Sequence, residues 1–154
     1  MIGYMADNFN DYCYAAYAFN NATEKLKYIP KGNIKDKFND IPCVINCTLT
    51  IELAVKAILI FQGCCPEEKS FRVHELKKLF TKLQTKHRQK ILDELKQKIP
   101  TMTDSKFEQL LEQHNKYFVD LRYPNLVYGK EVNEIFMSAL RLSCIQYLHS
   151  LQNK

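Results

Sequence analysis

The chain has 154 residues, 46% of them hydrophobic and 25% charged, with a formal net charge of +5 at pH 7. That composition suits a folded protein with a core of its own and excludes a disordered one. With 4 Gly and 5 Pro the chain is poor in turn formers, which argues against an all-β fold. A single domain over residues 1–154 is expected, because no repeat, low-complexity tract or long linker divides it.

The hydrophobic period is helical almost throughout. A first helix is expected from near Asp7 to just before Pro30, with Phe9, Tyr12, Cys13, Ala16, Phe19, Thr23 and Leu26 on one stripe. A second runs from about Ile41 to Phe61, with Pro42 in its first turn. It is apolar on nearly every side, which predicts a central helix covered from several directions. Gly63 is its natural C-cap, and Pro66 forbids immediate continuation.

Ser70 is the expected N-cap of a third helix, with Val73, Leu76, Leu79, Phe80 and Leu83 as its stripe. A fourth carries Ile91, Leu92, Leu95 and Ile99 and stops at Pro100. Ser105 and Glu108 have the spacing of a capping box for a fifth, expected to run through His114 and Phe118 to Leu121. Pro124 and Gly129 bracket a loop, and a last helix is expected from about Lys130 to Leu151. The predicted fold is all-α: an antiparallel up-and-down bundle of four long helices with short extra ones.

Glu52 and Lys56 interrupt the apolar second helix, so a membrane span is not expected there. The first residues, MIGYMADNFNDYC, lack the basic and apolar regions of a secretory signal, so a cytoplasmic location is expected. The six cysteines, Cys13, Cys43, Cys47, Cys64, Cys65 and Cys144, then read as free thiols packed as small hydrophobes. They contain no C-x-x-C and no zinc-site spacing, so neither a metal nor a cofactor is expected. Between Lys69 and Lys98 there are 10 Lys/Arg against 3 Asp/Glu. Such a stretch is either a solvated helical face or an attraction for phosphate backbones.

Three spots could carry chemistry. Glu52 and Lys56 stand one turn apart on a buried helix, where a lone carboxylate would cost several kcal/mol; Glu52 is expected to contact Lys56, Arg122 or both. His74 is expected in the first turn of the third helix. The run Asp120-Leu121-Arg122-Tyr123-Pro124 ends a helix with a cation and an aromatic.

The segment Asn46–Leu59, the later His74-Glu75-Leu76-Lys77-Lys78-Leu79-Phe80, and Arg122-Tyr123-Pro124 together resemble HEPN domains over about residues 7–150. The resemblance implies an all-α bundle that dimerises. It also implies a setting among the metal-independent ribonucleases of toxin–antitoxin, CRISPR and phage-defence systems. The family's active-site motif is an Arg and a His with four to six residues between them. Arg122 fits its first half, but residues 127–129 are Val127, Tyr128 and Gly129.

The expectation is therefore a catalytically silent HEPN-like bundle that acts by binding a second copy, a cognate protein, or an RNA or nucleotide. Glu52, Lys56, His74, Arg122 and Tyr123 are its candidate binding residues. The alternative is a ribonuclease using Arg122, with Tyr128 or His74 in place of the missing histidine; a tyrosine, with a pKa near 10, suits that proton work less well. A homodimer is also expected from the surplus of large rings on the first and last helices: Tyr4, Tyr12, Tyr14, Tyr17 and Tyr147.

Overall fold

Apolar residues at three- and four-residue steps make the helices of the computed structural model, which describes residues 2–27, 37–120 and 132–154. In order these are α1 (Ile2–Lys27), α2 (Lys37–Phe61), a 3-10 turn (Lys69–Phe71), α3 (Leu76–Lys82), α4 (Thr85–Lys98), α5 (Asp104–Gln113), α6 (Tyr117–Asp120) and α7 (Glu134–Gln152). The fold is all-helical, and no strand occurs among the described residues.

Helix α2 is the centre. Ile51, Ala54, Val55, Ala57, Ile58, Leu59 and Ile60 are all buried, on more than one face. Helices α1, α3, α6 and α7 pack against it. By length and composition alone, Ile41–Phe61 is apolar enough to cross a membrane, but 67% of that stretch is buried inside the protein, as in a core helix. The helix begins at Lys37, earlier than expected, so Pro42 lies inside it and removes one backbone bond there.

Helices α1 and α7 run in opposite directions along each other. Near one end Gln152 Nε2 donates to Asn10 Oδ1 at 3.2 Å and Tyr17 Oη donates to Gln152 Oε1 at 2.6 Å. Near the other, the fully buried Arg141 donates to Asn20 and Glu24. The Tyr17 ring stacks on His149, centroids 4.3 Å apart. Across α7, Tyr147 pairs with His87 of α4 at 2.7 Å, and Tyr12 sets its edge on Phe71 at 5.4 Å. Three of the rings that suggested surplus surface are thus used inside the chain, while Tyr14 stays 65% exposed. The side chain of Tyr4 lies outside the described residues.

Helix α1 begins at Ile2 rather than near Asp7, and two helix caps differ from expectation. Ser70 caps nothing; its Oγ donates to Glu68 within the 3-10 turn. The N-terminus of α3 is capped from far along the chain by Asn115. The backbone carbonyl of Asn115 accepts from Leu76 N–H at 3.2 Å, and its Oδ1 accepts from Lys77 N–H at 2.7 Å. Thr103, not Ser105, caps α5, accepting from Lys106 N–H at 3.1 Å. Lys106 occupies the place of the return carboxylate, so no capping box forms.

The expected long fifth helix stops at Gln113. His114 turns fully inward, with Nδ1 bonded to Leu110 O at 2.8 Å, and Nε2 accepts from Asn133 N–H at 3.0 Å. Those commitments of His114 and Asn115 are incompatible with continued helix, and the chain resumes as the single turn α6. The long helices are therefore α1, α2 and α7, with 26, 25 and 19 residues. Asn133 caps α7 by accepting from Phe136 N–H at 3.0 Å, and the expected start at Lys130 lies outside the described residues.

His87 and His114 are both buried, and burial is the main cause holding each below the usual imidazole range. The charges of Lys86 and Lys154 push His87 the same way, whereas the Leu110 carbonyl partly opposes the shift at His114. Depressed histidines give stability that is lost as pH falls below the unfolded value, about 6.5, because the unfolded chain then takes up protons the native chain refuses. The unfolding free energy from urea titration should therefore drop between about pH 7.5 and 5.5, by at most about 1.4 kcal/mol per pH unit for each histidine. In His87→Gln the drop should be shallower; equal slopes in the two proteins would show that His87 does not contribute.

Candidate functional site

Glu52 projects from the buried surface of α2 and is 2% exposed. Its Oε1 accepts from Lys56 Nζ at 2.7 Å, one turn along, and pairs with His74 Nδ1 at 2.9 Å. The other oxygen, Oε2, is buried and has no hydrogen-bond partner among the described residues. Lys56 Nζ also lies 5.5 Å above the centroid of Phe71, a cation–π contact. Tyr12 closes the group from α1, its hydroxyl pushed above the ordinary phenol range by burial and then by the Glu52 charge.

The residues arrive by different routes. Helical spacing brings Glu52 and Lys56 together. Phe71 is buried at the end of the 3-10 turn, and the extended residues after it carry His74 across to Glu52. His74 is not in a helical turn, as expected, but just before α3, whose N-cap is Glu75. Its side chain, 46% exposed, is where the cluster meets solvent. The expected Lys56 contact is present. Arg122, Tyr123 and Tyr128 lie outside the described residues, so the Arg122 arm of the expectation does too.

Chemically, the cluster holds a buried carboxylate with one unused acceptor, a cation fixed beside it, and an imidazole oriented by that carboxylate and open to solvent. Tyr12 is expected in the sequence as a stripe residue and a dimer ring, not as a neighbour of Glu52, and Phe71 is not singled out there at all. Arg141 was missed too, though a charged residue between Leu140 and Leu142 on an apolar helix was the available signal.

The basic stretch loses much of its charge in the fold. Lys77 pairs with Glu112, Arg88 with Glu108, and Lys96 with Asp104, all on α5. Lys78 pairs with Glu75 at 2.8 Å and Lys98 with Glu94 at 3.7 Å. Among the described residues, Lys69, Arg72, Lys82, Lys86 and Lys90 enter no such ion pair. Lys69 and Arg72 are exposed beside the segment that carries His74.

The six cysteines are free thiols, with Cys13, Cys47 and Cys144 buried as expected and Cys43, Cys64 and Cys65 only partly so. Among the described residues no three His, Cys, Asp or Glu side chains converge on a metal-sized site. Compared with protein-family models, with curated proteins and with solved structures, the chain shows no match.

Glu52→Ala would leave the Lys56 ammonium buried without its partner, which costs about 3–5 kcal/mol. Replacing both residues with apolar ones of similar volume, Glu52→Leu with Lys56→Met, should recover most of that loss. Guanidinium denaturation checks both. A Glu52→Ala loss below about 0.5 kcal/mol, the scale of an exposed pair, would show that the ion pair is solvated.

Proposed function

We propose that the chain is a HEPN-like antiparallel helical bundle that acts by binding RNA and has no catalytic activity of its own. The observation that carries this reading is the Glu52–Lys56–His74 cluster. Its carboxylate fixes Lys56 and His74, and the exposed His74 closely follows Lys69 and Arg72 in the chain, two exposed cations that enter no ion pair among the described residues. A nucleotide supplies the complement: base or ribose groups for the imidazole at the surface and phosphates for the cations. The resemblance adds Arg122 and Tyr123 as candidate binding residues and a toxin–antitoxin or defence setting with a cognate protein partner, and the reading keeps the cytoplasmic location expected from the first residues.

A homodimer belongs to the same reading. Tyr14 on α1 and Ile135 and Leu142 on α7 are 65%, 75% and 37% exposed, and burying them would favour self-association. Static light scattering at tens of micromolar should give twice the chain mass; a monodisperse monomer would remove the dimer from the proposal.

One observation favours the ribonuclease reading. His74 is held by a buried carboxylate at 2.9 Å and faces solvent, the arrangement of an oriented general acid–base. Incubation of the pure protein with mixed RNA in chelator separates the two readings. No cleavage is expected, and labelled RNA should bind about ten-fold more weakly in about 200 mM salt than in about 50 mM. Lys69→Ala/Arg72→Ala should weaken binding. Cleavage lost in both His74→Ala and Arg122→Ala would establish the nuclease instead, and RNA binding unmoved by salt or by the cation variants would end the RNA proposal.

A further inference from the structure

Two cysteines stand side by side where α2 ends. Gly63 takes a left-handed φ of 103°, and the Cys64 amide closes the helix by donating to Leu59 O at 2.8 Å. Cys64 and Cys65 therefore lie in non-helical backbone, each partly open to solvent.

The other thiols lack this combination. Cys13, Cys47 and Cys144 are buried, and burial pushes Cys13 up to about 12 and Cys144 higher still. Such thiols form little of the nucleophilic thiolate. Cys43 has Cys47 one helical turn away, but Cβ atoms at that spacing are about 5–6 Å apart. A disulfide takes about 3.5–4.5 Å.

Gln62 makes the pair consequential. Its Nε2 donates to Lys82 O at 2.9 Å and to Cys64 Sγ at 3.7 Å, while its Oε1 accepts from Gln84 N–H at 3.0 Å. One side chain thus ties the end of α2 and the Cys64 sulfur to the link between α3 and α4.

We propose that Cys64 and Cys65 form a reversible thiol-oxidation site whose oxidant is a low-molecular-weight disulfide of the glutathione class. One thiolate attacks the glutathione disulfide, forms a mixed disulfide and releases a glutathione thiolate. The neighbouring thiolate then attacks the protein sulfur of that mixed disulfide, closes the Cys64–Cys65 bond and releases the second glutathione. Two electrons pass to the oxidant, and the two thiol protons end on the two glutathione thiols. Adjacent Cα atoms are fixed about 3.8 Å apart. That is below the roughly 4.4–6.8 Å usual for disulfides, so the bridge is strained and readily reduced. Closing it draws Cys64 Sγ away from Gln62 and loosens the α3–α4 link.

The test equilibrates the full chain in glutathione buffers of graded ratio, traps free thiols with an alkylating reagent and maps the peptides. In oxidising buffer the Cys64–Cys65 peptide should lack two hydrogens and carry no label, and excess dithiol should restore both labels. Cys65→Ser should stop at the mixed disulfide on Cys64, and Cys43→Ser should behave as the native chain. The Gln84 amide should exchange with deuterium several-fold faster in the oxidised form. Full labelling of both cysteines at every ratio would overturn the site, as would a native chain that stops at the mixed disulfide or oxidises at Cys43. Unchanged Gln84 exchange would overturn the coupling to the α3–α4 link.

Discussion

Helix α2 has almost no side that water can cover, and the other helices are arranged to meet that constraint. Ile51, Val55, Ile58 and Leu59 are fully buried, each contributing about 2 kcal/mol by leaving water. One neighbouring helix shields only a stripe of another, so several partners are needed; α1, α3, α6 and α7 supply them. The ends of α2 are set by the same demand. Gly63 turns the chain sharply once Phe61 is reached, and the 3-10 turn brings Phe71 back to cover the ion pair one face away.

Burial on that scale turns Glu52 from an ordinary helix residue into a costly one. Its charge is balanced by Lys56 and shared with His74 through one oxygen, which leaves the second oxygen unsatisfied. Stability does not require this arrangement, since apolar residues at both positions would pack as well without the desolvation cost. Arg141 offers a contrast. It is more deeply buried, but its partners Asn20 and Glu24 lie on the helix it packs against, so its role in docking α1 to α7 is sufficient reason for it. The Glu52 cluster ties α2 to the residues that enter α3 and, unlike Arg141, opens to solvent at His74. That difference is the physical ground for placing the binding proposal there.

Much of this was legible in the sequence, and the part that was not has a common cause. The all-round apolar pattern of α2 and the one-turn spacing of Glu52 and Lys56 are local, and both were readable. Pairings across large sequence separations were not. Ser70 has the chemistry of a cap, but Asn115 reaches α3 first because the chain breaks at His114. The basic stretch looks like a charged face because sequence reading counts neighbours along the chain, and three of the five carboxylates that answer it come from the next helix, α5. His74 was placed in a helix by its apolar neighbours, whereas its bond to Glu52 belongs to the extended residues before one.

The position of His74 depends in turn on α3, which has only seven residues. A helix so short is not stable alone, because nucleation consumes most of what its few hydrogen bonds return. It persists because both ends are tied from elsewhere. Asn115 satisfies the first amides, and Gln62 takes the Lys82 carbonyl and the Gln84 amide at the far end. Leu76, Leu79 and Phe80 bury the side between. The residue that enters this clamped helix is Glu75, itself held by Lys78 and Asn115, and His74 immediately precedes it. The imidazole is thus aimed at Glu52 by caps contributed from two other parts of the chain. Its geometry is a property of the α2–α3–α5 arrangement, and disturbing either cap reaches the cluster without touching any of its members.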